Sequence, residues 1–232
     1  LNTSHVNSAY TYACREHTMI SIFRQEEWFK VFIHETFHCM GLDFACMDTT
    51  TIDTMIYDII PLKKTDIRSY EAYTEYWAEI LNILFISYFT TKTKDNYDLM
   101  LEKIEKMFTY ERAFSLFQLV KVLKHNNLDY KSIFSHDSIS INKKQNYKED
   151  TYVISYYLLK SILLFNVNDF LKWNKMHNKT IDFETTDENL HSFVDFIKEK
   201  YQTTKFMDYI SLIENVKSSQ INASMRMSLY EI

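Results

Sequence analysis

The chain has 232 residues, with 31 acidic and 26 basic side chains and a formal net charge of -5. That length can bury a sizeable core, and the acidic balance gives no general affinity for nucleic acid. One glycine (Gly41) and one proline (Pro61) exclude Gly-rich phosphate loops, dinucleotide fingerprints and G-x-S-x-G elbows, and favour helices over a turn-rich all-β fold.

Residues 8–13 and 17–24 alternate and are rich in β-formers, which predicts two short strands. Residues 25–40 then run without a breaker. Trp28, Phe29, Val31, Phe32, Ile33, Phe37 and Met40 leave hardly any polar face, so the expectation is a buried helix. That helix carries H-E-x-x-H, His34-Glu35-Thr36-Phe37-His38. The spacing stacks His34 and His38 one turn apart on one face. Two imidazoles so placed can bind one metal ion, while Glu35 is offset and free to act as a base. Burying two histidines and a carboxylate is costly without partners, and a divalent cation would be such a partner. Gly41 follows His38 by three residues, where its left-handed conformation can close the helix. The competing reading is a hydrogen-bonded pair of core histidines on an ordinary helix.

Residues 48–66 are polar and irregular, and Thr65 or Asp66 is the expected cap of a long helix from 67 to about 89. On that helix Glu71, Glu75 and Glu79 share one face at i, i+4 and i+8. Like charges so spaced destabilise a helix; a facing cation would relieve them, as would a solvated acidic edge. A further helical pattern covers 96–125, with an expected break near Tyr110, and 126–150 reads as a polar excursion with little regular structure. Residues 151–165 form a core helix, 167–177, 187–200 and 203–217 three more, with Thr186 or Asp187 capping the second of these. The tail, 222–232, is an apolar segment that could dock on the body.

Cys14, Cys39 and Cys46 are odd in number and lack C-x-x-C spacing, so neither a disulfide framework nor a zinc ribbon is indicated. Free thiols fit a reducing compartment. No membrane-length apolar run or signal peptide is visible, and the opening Leu1 suggests that an upstream part is missing. The expectation is an intracellular, cytoplasmic protein.

A hydrolytic zinc site needs three protein ligands and one position for water. His34 and His38 supply two, and Glu75 is the first choice for the third, offered from the inner face of a helix crossing behind the first. H-E-x-x-H followed by Glu75-Tyr-Trp-Ala-Glu79 resembles the zincin metallopeptidases of the gluzincin type, across residues 8–90. The resemblance implies Zn2+ as cofactor, His34, His38 and Glu75 as ligands, and Glu35 as the catalytic base. It further implies Glu79 as the acid supporting a ligand histidine, and places the strand within 18–24 along an extended substrate. The chain is also similar to uncharacterised metallopeptidases of large DNA viruses, which adds virion association to the expectations. The metzincin pattern fails at Phe44, where its third ligand would stand. Asp43 is then either an outer acceptor for a histidine Nδ1–H or a structural acid at the helix end.

These readings give an α+β, mostly α fold. A zincin-like part would cover 1–92 and a helical part 93–232, with a soft boundary. The expected activity is zinc-dependent cleavage of a protein or peptide substrate. The alternative is an inactive zincin-like interaction module, its partner or assembly contacted through the surface of a chain with 17 Phe, 17 Tyr and 3 Trp.

Overall fold

The two segments of alternating β-formers before residue 25 give a sheet of only two short strands. The computed structural model describes residues 3–63, 65–216 and 224–231. A short helix, α1 (Thr3–Val6), precedes β1 (Ala9–Tyr10), which pairs antiparallel with β2 (Ser21–Ile22). Beyond them the described chain is helical: α2 (Trp28–Met40), α3 (Thr50–Ile59), α4 (Ser69–Thr90), α5 (Tyr97–His125), α6 (Tyr130–Phe134) and α7 (Ser138–Asn146). A π-helical turn (Ile154–Leu159) runs into α8 (Lys160–Phe165), followed by α9 (Val167–His177), α10 (Asp187–Lys200) and α11 (Thr204–Glu214). The class is α+β and mostly α, as its sequence indicates.

Local chemistry sets the helix ends. Gly41 closes α2 at φ 64°, ψ 36°, where its N–H meets the His38 carbonyl at 3.3 Å and Leu42 N–H meets that of Phe37 at 2.9 Å. Nothing lies within 4 Å of where a Cβ would stand, so the demand for glycine is conformational. Thr186 caps α10 by accepting from Asn189 N–H at 3.2 Å. Neither Thr65 nor Asp66 caps α4. Asp53 does so from α3, accepting from Ser69 N–H at 3.0 Å and Ser69 Oγ–H at 2.7 Å.

Several expectations need correction. Residues 50–59 are helical because Ile52 and Ile56, one turn apart, are buried. The polar stretch 126–150 contains α6 and α7, each started by an aspartate: Asp129 accepts from Ser132 N–H at 2.8 Å and Asp137 from Ser140 N–H at 2.9 Å. The helix α5 passes Tyr110 unbroken. Only one side of α2 is covered, since Trp28, Phe32 and Met40 are 45%, 44% and 67% exposed. Cys14 and Cys46 form a disulfide and only Cys39 stays free, which replaces the expected set of free thiols. Bonds of this kind persist in oxidising surroundings.

The core gathers residues from both sides of position 92 into one cluster. Phe44 illustrates this, with its ring 4.3 Å from Phe183 and 5.5 Å from Phe193. The tail docks through 224–231 on Glu27, Glu111, Gln118 and Lys160. Among the described residues no helix is long and apolar enough to cross a membrane.

Candidate metal centre

Helices α2 and α4 pack face to face, opposing two stripes of polar side chains inside the core. From α2 come Lys30, His34 and His38, four residues apart; from α4 come Glu71, Glu75 and Glu79 with the same spacing. All six are buried. One stripe is basic and the other acidic, so each answers the charge of the other.

The register of the stripes assigns the roles. His34 Nε2 and His38 Nε2 lie 3.1 Å apart, and each is 3.2 Å from Glu71 Oε2. His34 Nδ1–H donates to Glu75 Oε2 at 2.9 Å, and His38 Nδ1–H donates to Asp43 Oδ2. Asp43 is held by Thr74 Oγ1–H at 2.9 Å and Ala45 N–H at 2.8 Å. Carboxylates only accept, so each Nδ1 carries a proton, and a ring that gives up its second proton turns an Nε2 lone pair inward. With both rings neutral, three acceptor atoms converge on one point. Ligands about 2.0 Å from a tetrahedral metal stand about 3.3 Å from one another, close to the triangle seen here. The His-His-Glu group could hold a metal ion.

Two assignments shift by one helical turn. Glu71, not Glu75, shares the inner face with the histidines; Glu75 takes the outer nitrogen of His34 and the ammonium of Lys30. Glu79 touches neither histidine and pairs with Lys160 of α8. Phe44 lies in the aromatic core. Lys30, one turn before His34, holds the register in the fold, since it is buried and pairs with Glu75. Tyr156, on the π-helical turn, carried no sequence signal. Its ring lies 6.1 Å from that of His34 and lines the same cleft as Glu71.

The triad opens on a cleft of about 510 Å3 lined by His34, Glu35, His38, Glu71, Tyr70 and Tyr156, within the usual range for ligand sites. Its opposite wall is β1 and the following loop, residues 9–15. Residues 18–24 do not line it, which corrects the expected place of the strand: β2 pairs with β1. The Cys14–Cys46 disulfide ties this wall to the loop after α2. Glu35 also lines the cleft, and burial raises its pKa against the opposing pull of His34 and His38.

Without a metal the group stores protons. Burial alone would lower the pKa of His34, but hydrogen bonds to Glu71 and Glu75 hold it at about 9. His38 is raised likewise by Glu71 and Asp43, against burial. Glu71 is pulled well down by the two histidines despite its burial. An unfolded histidine titrates near about 6.5. The stability due to His34 is thus complete below that pH and lost as pH rises through about 9. The metal-free chain should show a falling urea midpoint across this window. Zinc-loaded chain should fall less, because a ligated imidazole has no proton to lose.

Comparison with family models, with curated proteins and with solved structures gives no match.

Proposed function

We propose that this chain is a zinc-dependent hydrolase of peptide bonds, with His34, His38 and Glu71 as ligands and Glu35 as the base. The observation that carries the reading is the convergence of three acceptor atoms, two on rings whose outer nitrogens are occupied by Asp43 and Glu75. Bound there, zinc supplies a Lewis acid that polarises a carbonyl and brings the pKa of a water toward about 7.

The remaining work falls to the chain. Glu35 would take the proton of the attacking water and deliver it to the leaving amine. Tyr156 lines the cleft beside Glu71 and His34. The β1 wall offers backbone along which an extended substrate can lie.

Metal removal tests the reading. Purified chain should hold about one zinc per molecule, lose cleavage of a denatured-protein substrate on chelation, and regain it with added zinc. Unchanged cleavage in the demonstrably metal-free chain would end it. A second reading, a protein-contact module, draws on a band of exposed aromatics, Trp28, Phe32, Phe85, Tyr88 and Phe89. It predicts bound metal with no cleavage of any peptide.

A further inference from the structure

The C-terminal segment 224–231 has no regular structure, yet its backbone polar groups are met by side chains of the core helices. Met227 N–H donates to both carboxylate oxygens of Glu27, at 2.9 and 3.0 Å, and Ser228 N–H donates to the same group. Leu229 N–H donates to both oxygens of Glu111, at 2.9 and 3.1 Å. On the acceptor side, the Met227 carbonyl takes Lys160 Nζ–H at 3.0 Å and the Tyr230 carbonyl takes Asn82 Nδ2–H at 3.2 Å. Tyr157 O–H donates to the Met225 carbonyl. Buried carboxylates placed to receive main-chain N–H groups are expensive unless the main chain is there. The slot is built for this segment.

Glu27 joins this slot to the metal centre. It stands at the start of α2 with a left-handed backbone, φ 60°, uncommon for a residue with a side chain, and its carboxylate is buried beside the tail. One turn on, Lys30 is attracted by both Glu75 and Glu27 and pairs directly with Glu75. Glu75 in turn accepts the His34 Nδ1–H. Glu27, Lys30, Glu75, His34 and Met227 line one small cavity.

We propose that segment 224–231 is a positioning element of the metal centre, acting through Glu27, Lys30 and Glu75 on His34. This rests on the metal reading above. With the segment seated, the N–H groups of Met227 and Ser228 satisfy Glu27 and Lys30 stays on Glu75. With it lifted, Glu27 is a buried carboxylate without donors, and Lys30 is the neighbouring cation that can answer it. Lys30 then moves off Glu75, and the acceptor that orients His34 loses its anchor. Binding free energies are reciprocal, so metal on His34 must tighten the segment by the factor by which the segment tightens the metal.

The test is amide hydrogen exchange in the full chain with and without saturating Zn2+, with zinc binding followed by calorimetry. Met227 and Ser228 amides should exchange about tenfold more slowly with zinc, within the usual range of coupling between sites. Those of α7 should change much less. Glu27→Gln removes the charge that competes for Lys30, so zinc should still bind while the amides of Met227 and Ser228 stop responding. Zinc binding with no selective slowing at these amides overturns the coupling and leaves the metal reading standing. A response that survives in Glu27→Gln overturns the route through Glu27. A chain that binds no zinc overturns the metal reading, and this inference with it.

Discussion

Glu35→Gln should retain zinc and fold while losing peptide cleavage by about 100- to 10,000-fold, the usual contribution of a general base. The side chain lines the cleft beside His34 and takes no part in the His34, His38 and Glu71 triangle. Glutamine keeps its shape and removes only its capacity to accept a proton. Because the carboxylate is largely buried and its pKa is raised, the neutral amide should cost little stability. The measurement is kcat with metal content determined on the same sample. Cleavage at an undiminished rate would remove Glu35 from the chemistry, and loss of zinc would mean that it supports the metal instead.

The three glutamates of α4 should separate into three classes. Glu71→Gln removes an oxygen 3.2 Å from both inner nitrogens and should weaken zinc more than any outer-carboxylate change. Glu75→Gln takes the charge from the acceptor of His34 Nδ1–H and leaves one oxygen for two donors, a change in an outer partner that typically costs about 10–100-fold in affinity. It also strands Lys30, and breaking a buried ion pair costs about 3–5 kcal/mol of stability. Lys30→Met in the same chain should return much of that stability without returning the affinity. Glu79→Gln should leave zinc affinity near that of the parent, since this carboxylate meets Lys160 rather than a histidine. Zinc titrations against a competing chelator, with urea unfolding alongside, distinguish the three. Equal zinc affinity in Glu71→Gln and Glu79→Gln would contradict the register of the two helices.

What was legible in the sequence was whatever depends on neighbours within a few turns. H-E-x-x-H placed His34 and His38 together because the helical period brings i and i+4 onto one face, and Gly41 marked the helix end because few other residues take its backbone conformation readily. The helices 167–177 and 187–200 were equally readable from periodicity and a threonine cap. Short helices were not: α6 and α7 rest on the single aspartates Asp129 and Asp137 within a polar stretch that otherwise reads as loop.

The third ligand, expected at Glu75, was not fixed by the sequence for a different reason. Glu71, Glu75 and Glu79 repeat every four residues, so by local criteria they are interchangeable. Sliding α4 one turn along α2 exchanges their roles without altering either helix. Only the packing of the two helices breaks that degeneracy, setting Lys30 against Glu75 and Lys160 against Glu79 and leaving Glu71 for the histidines. The Cys14–Cys46 bond and the seat of the tail on Glu27 and Glu111 belong with it. Each joins residues far apart in the chain, and such proximity exists only once the fold has closed. The sequence by itself determined that two histidines and a carboxylate would share a helix; the tertiary structure decided which glutamate completes them, because the choice depends on a crossing point that no local rule encodes.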